Sequence, residues 1–225
     1  MQKNPQAQKL PQIRLIKRQE IWTLTAQGWL LFLATSTASM FFAIAHLYPF
    51  LAVTSPIEAA DILVVDGWIS DYALEQAAAE FKRGSYRQLI TLGVTVDNGY
   101  YLAEYKNFAE IAATTLKKLG VPQEKIIAIP TPNVVKNRTN ASAGALLQWI
   151  TESNSTIESI NLFTTDAHAR RSWLIHKKIL SPKIKVGIIS AEPPYYDPKK
   201  WWNSSEGVRV IISEIIAYLY ALLVN

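Results

Sequence analysis

The apolar and polar positions of the chain fall into two successive patterns. No charged residue occurs between positions 21 and 57, and the most apolar part runs from about 28 to 47. That stretch is long enough to cross roughly 30 Å of hydrocarbon at about 1.5 Å per residue. Trp22, Trp29, Tyr48 and Phe50 bracket it as interfacial aromatics do. A transmembrane helix is therefore predicted within 21–51. After a short linker (52–60) the pattern changes to brief continuous apolar runs separated by stretches of helical spacing. Strands are predicted at 62–65, 89–92, 126–129, 160–164 and about 185–190. Helices are predicted at 71–83, 102–119, 139–152, 167–180 and 205–223. Gly84 stops the first of these, and Gly120 with Pro122 just beyond stops the second.

Short runs rich in Ile, Leu and Val, alternating with helices, are what a parallel sheet covered on both faces produces. The expected fold class is α/β: a three-layer, doubly wound, mainly parallel five-stranded sheet, preceded by one N-terminal transmembrane helix. The closing helix is apolar enough to pass for a second span, but Arg209 and Glu214 interrupt it, so a core-packing helix is expected there. The organisation read from these patterns is a basic tail (1–20), an anchor (21–51), a linker (52–60) and an α/β domain (61–225).

Charge changes the picture in one respect. The net charge of +5 invites a nucleic-acid reading, yet Lys3, Lys9, Arg14, Lys17 and Arg18 all precede the apolar segment. The remainder is nearly neutral and lacks the footprint that phosphate-backbone binding needs, so no nucleic-acid partner is expected. A basic flank before a span places the N-terminus in the cytoplasm and the domain outside, as in a single-pass protein of the plasma (inner) membrane. A cleaved signal peptide is the alternative, with Ala43-Ile44-Ala45 as a small-x-small site, and it too exports the domain. The absence of cysteine excludes disulfides, thiolate metal sites and a Cys nucleophile. A 49% hydrophobic composition excludes a disordered chain.

In open α/β sheets ligands bind at the carboxyl ends of the strands. That rule nominates Asp66-Gly67-Trp68, Gly93, Pro130-Thr131, Thr164-Thr165-Asp166 and Ser190 to Glu192. The fourth group runs on into Asp166, His168, Arg170 and Arg171 at a predicted helix start, where amides and dipole favour an anion. The alternative is that Asp166 only caps the helix while the arginines are solvated or pair with acids. Arg138 and Thr139 open another helix, with Thr139 either a ligand contact or a plain N-cap. His46, His168 and His176 are scattered, and no GxSxG, P-loop or GxGxxG segment is present, so neither a metal nor a cofactor is expected.

The segments ILVVDGW (62–68), NRTNASA (137–143), FTTDAHARRS (163–172) and YYDPKKWWNSSEGVRVIISEIIAYLY (195–220) resemble the SanA/ElyC/YdcF-like bacterial envelope family. The similarity covers roughly 60–223 and is most specific at Thr164-Thr165-x-x-His168-x-x-Arg171. Asp66-Gly67 stands where that family often has Gly-Gly, and Gly93-Val94 stands where a second Gly-Gly is usual. The resemblance implies a role in envelope maintenance, such as binding or processing a phosphorylated lipid or glycan precursor of the polyprenyl-phosphate kind. In that reading His168 transfers a proton and Asp66 is its base or orienter. Gly67, Arg138, Thr139, Thr164, Thr165, Asp166 and Arg171 bind the ligand. Soluble members of the family are associated with S-adenosylmethionine, but no Gly-rich loop here independently supports a nucleotide. The alternative function is a non-catalytic envelope factor that acts through protein partners, with Tyr195-Tyr196 and Trp201-Trp202 as its contact surface.

Overall fold

The computed structural model describes residues 22–97, 99–134, 136–153 and 156–224; the basic tail expected at 1–20 lies outside them. The chain divides into two units, 1–42 and 43–225. Helix α1 (Ala26–Leu51) begins in the first and ends in the second. The hydroxyl of Thr25 accepts from the Gly28 amide at its start. Its most apolar window has a mean hydropathy of 1.7 and no buried residue, which makes it long and apolar enough to cross a membrane.

In the second unit five strands form one all-parallel sheet: β1 (Ile62–Asp66), β2 (Gln88–Gly93), β3 (Ile126–Pro130), β4 (Ser159–Thr165) and β5 (Lys185–Ala191). Their spatial order is β3-β2-β1-β4-β5, which confirms the doubly wound α/β class. Both faces are covered. Leu63, Val65, Leu89 and Phe163 meet α2 (Asp71–Arg83) and α3 (Phe108–Lys118) on one side. Ile62, Val64, Ile90 and Leu162 meet α4 (Arg138–Glu152) and α5 (Ala169–Leu180) on the other. Alternate residues of each strand thus serve opposite layers, which is why the strands read as unbroken apolar runs. Burying each such side chain contributes about 1.5–3 kcal/mol.

The segment 52–60 is docked rather than free. Ser55 bridges to Ile188 on the edge strand β5. Buried Asn161 of β4 accepts from the Ile57 amide at 2.8 Å, and its Nδ2 donates to the Ile57 carbonyl at 3.0 Å and to Tyr86 Oη at 2.9 Å.

Helix α6 (Ser205–Leu223), predicted as core packing, buries Gly207, Ile211 and Ala221. Ile211 packs with Leu51, Ala167 and Trp201, joined by Ile44, Leu47 and Tyr48. Its other side leaves Val208, Ile212, Ile216, Leu219, Tyr220 and Leu223 exposed, an apolar face the sequence reading did not expect.

Two predicted helix starts move. The helix expected from 102 begins at Phe108, because Asn107 takes the N-cap role and accepts from the Glu110 amide at 2.9 Å. The residues before it are held in a loop by the Thr95–Asn107 bridge and by Val96 donating to the Lys106 carbonyl. The helix expected from 167 becomes a 3₁₀ turn, Asp166–His168, followed by α5. Asp166 sits there in the left-handed region at φ 52°.

Candidate functional site

In this strand order β1 and β4 are neighbours whose following chains depart to opposite sides, α2 to one layer and α5 to the other. The gap between their carboxyl ends is the topological switch point, where open α/β sheets place ligands. Gly67 and Gly93 shape this edge from behind. A Cβ on Gly67 would lie 2.5 Å from the Phe108 carbonyl oxygen, and one on Gly93 would lie 2.4 Å from the Ala109 amide nitrogen. Only glycine at both positions lets the start of α3 lie directly on the strand ends.

His168 is the hub, at 6% exposure. Its Nε2 lies 3.8 Å from Asp66 Oδ2. Its Nδ1 faces a donor and an acceptor at once, Arg171 Nη2 at 2.9 Å and Glu214 Oε1 at 3.3 Å. Arg171 grips Glu214 with two parallel bonds, Nε to Oε2 and Nη2 to Oε1, both 2.9 Å, and reaches Thr139 Oγ1 at 3.3 Å. Burial alone would raise the Glu214 carboxyl. Hydrogen bonds and charge from His168 and Arg171 overcome it and hold the group down at about 2. A neutral His168 accepts from Arg171 on Nδ1 and carries its hydrogen on Nε2, toward Asp66. A protonated His168 gives its Nδ1 hydrogen to Glu214. The Trp68 ring stands edge-on to the imidazole, with centroids 5.1 Å apart.

A cleft of about 1130 Å³ opens beside this hub. Its polar end is made by Asp66, His168, Arg171 and Glu214 with the first turn of α4, from Asn137 through Asn140. Asn137 has left-handed geometry and supplies no side-chain cap, so the positive end of the α4 dipole lies at the cleft without one. Arg138 pairs with Asp97 at 2.7 Å, and both side chains are about half exposed. The opposite wall is apolar: Val94, Val96 and Phe108 on one side, Ile216, Ala217 and Tyr220 of α6 on the other. A smaller hollow of about 360 Å³ shares Trp68, His168 and Glu214 with the cleft and adds Thr165, Asp166, Tyr195 and Tyr196.

The residues nominated from sequence therefore separate. Asp66, Arg138, Thr139, His168 and Arg171 converge on the cleft. Thr165 and Asp166 line the smaller hollow. Burial pushes the Asp166 carboxyl up, while hydrogen bonds from Tyr196, the Ala167 amide and Tyr48 oppose that rise. Thr164 is fully buried beneath the hub, and Gly67 packs against α3 outside the cleft lining. Thr139 meets Arg171 and is not the N-cap of α4. Sequence reasoning missed Glu214, which neutralises Arg171. The one available signal was an acid inside an otherwise apolar helix, and it was read only as interrupting a membrane span. Among the described residues no group of three or more His, Asp or Glu side chains is arranged to hold a metal ion. The chain matches no family model and no curated protein.

Proposed function

We propose that the chain is a membrane-anchored, SanA/ElyC/YdcF-like protein whose domain binds or processes a phosphorylated amphiphile, an envelope precursor of the polyprenyl-phosphate type, in the cleft at the switch point. One observation carries this reading. The same cleft joins a polar end, holding Arg138, His168 and the first turn of α4, to an apolar wall that continues onto the exposed face of α6. A free sugar phosphate would leave that wall wet, and a plain hydrocarbon would cover polar groups without bonding them.

The anion is held by Arg138 and the N-terminal turn of α4. An exposed ion pair such as Arg138–Asp97 contributes only about 0–1 kcal/mol, so exchanging Asp97 for a phosphate oxygen is favourable. Arg171 is committed to Glu214 and acts from behind, fixing His168. Through Nε2, which at 3.8 Å makes no hydrogen bond to Asp66, His168 donates or accepts a proton at the phosphate end. The apolar helix α1 would tether the domain to a membrane. The basic flank at 1–20 favours a cytoplasmic N-terminus and an extracytoplasmic domain.

The test is calorimetric binding to the full chain in detergent, comparing farnesyl phosphate, farnesol and inorganic phosphate. Farnesyl phosphate should bind at least about tenfold more tightly than either part alone. Arg138→Ala should weaken it by about tenfold, as should Ile216→Asp. Equal binding of farnesol and farnesyl phosphate, or no binding by a folded protein, refutes the reading. In the second case the same cleft and the exposed Tyr195 and Trp202 are left to a protein partner.

A further inference from the structure

Behind His168 lies a buried polar group that reaches the cleft only through Asp66. Asp66 ends β1, and Thr164 follows Phe163, the β4 partner of Val65. By strand alternation both side chains turn to the face that carries Val64 and Leu162. On α5, Ser172 and His176 are one turn apart and share a stripe with the sheet-facing Ala169 and Leu180. Thr164, Ser172 and His176 are fully buried and Asp66 is 3% exposed. Among the described residues, Asp66 Oδ2, Thr164 Oγ1, Ser172 Oγ and His176 Nε2 have no hydrogen-bond partner.

The state of His176 follows from its other nitrogen. Nδ1 lies 2.9 Å from the Ser172 carbonyl oxygen. That oxygen only accepts, so Nδ1 carries the hydrogen and Nε2 presents a lone pair. Complete burial holds the imidazole below its ordinary pKa, against the attraction of the nearby Asp66 charge, and keeps it neutral. An Asp66 carboxylate oxygen likewise accepts only. Two bare acceptors and two hydroxyls thus share one buried layer, and leaving such groups unmet costs about 1–3 kcal/mol each. A water molecule, with two hydrogens to give and two lone pairs to receive, satisfies such a set.

We propose that an ordered internal water, bound by Asp66, Thr164, Ser172 and His176, makes His176 a positioning residue for His168. The water donates one hydrogen to His176 Nε2 and the other to Asp66 Oδ2. It thereby fixes the carboxylate that faces His168 Nε2. Asp66 then favours the Nε2–H form of His168, the form that also accepts from Arg171. The catalytic meaning of this chain rests on the proton-transfer reading of His168, but the water and the tautomers are measurable without any ligand.

The experiment is long-range ¹H–¹⁵N correlation spectroscopy of the full, histidine-labelled chain in detergent, together with water–protein cross-relaxation. The expected result is opposite tautomers, Nδ1–H for His176 and Nε2–H for His168, with a long-lived water signal at the His176 ring. His176→Phe should lose that signal and turn His168 into a mixture of both tautomers. His176→Gln, which keeps an acceptor, should restore a single form. An unchanged His168 tautomer in folded His176→Phe, or no water signal in the wild type, overturns the proposal. Should His176→Phe not fold, the Thr164→Val/Ser172→Ala pair removes two of the water's partners while keeping the ring, and the same criteria apply. Failure of farnesyl phosphate to bind a protein showing these tautomers refutes the proposed function and leaves this inference standing.

Discussion

Two buried polar groups on the same strand are met in opposite ways. Asn161, near the start of β4, has its oxygen and both hydrogens engaged by Ile57 and Tyr86. Thr164, three residues on, is equally buried, and among the described residues its hydroxyl has no partner, nor have Asp66 Oδ2, Ser172 Oγ and His176 Nε2. The satisfied group holds the segment 52–60 to the sheet. The unsatisfied group lies under His168 at the ligand end. Folded proteins rarely leave buried polar atoms unmet, and where they do a functional reason is the first to test. Along one strand, the amino half of the domain is tied down by hydrogen bonds, and the carboxyl half, where the proposed site lies, is not.

Substitution at Asn161 breaks this contrast most severely. Asn161→Ala removes three hydrogen bonds at once and strands the half-buried Ile57 amide and carbonyl, so urea unfolding should show a loss of about 4 kcal/mol. A loss below about 1 kcal/mol would mean that 52–60 is not held by this side chain.

The next effect is acid sensitivity at the hub. Glu214 is held at about 2 against an ordinary 4.5. Its stabilisation is complete above pH 4.5 and is lost as pH falls toward 2. The loss amounts to about 3 kcal/mol over that window. Glu214→Gln should flatten the wild-type decline when stability is followed from pH 6 to pH 2. An identical decline in both proteins would assign the acid transition to other carboxylates.

On the chemical side of β4 the same kind of change should do little. Thr164→Val removes a hydroxyl that no protein group bonds, so chemical denaturation should register about 1 kcal/mol or less. A loss comparable with that of Asn161→Ala would erase the distinction between the two halves. Smallest of all is Arg138→Ala, whose exposed pair with Asp97 contributes about 0.5 kcal/mol. It should leave the melting temperature in place while reducing ligand affinity.

Much of this was legible in the sequence. The five apolar runs named the strands because a sheet covered on both faces needs no polar alternation, and Arg209 and Glu214 kept 205–223 from being taken for a span. The strand-end rule then placed Asp66, His168 and Arg171 together. What stayed hidden depends on distant partners. Glu214 meets Arg171 across 43 positions and His168 across 46, and no local spacing announces such a pair. The shortened α3 was hidden for a nearer reason. The residues from 102 keep helical spacing, but the Asn107 cap and the Gly99 turn, at φ 74°, set the boundary later. Gly67 read as a ligand position because it follows a strand, whereas its role is the close approach of Phe108.

The central claim is that one cleft receives both the anionic head and the apolar tail of its ligand. Photo-crosslinking of the full chain with a benzophenone-tailed prenyl phosphate, followed by peptide mapping, tests it most directly. The account predicts label on α6 around Ile216 and Tyr220 and around Val94 to Phe108, competed away by farnesyl phosphate and reduced in Arg138→Ala. Label confined to α1, or spread without competition, would contradict it.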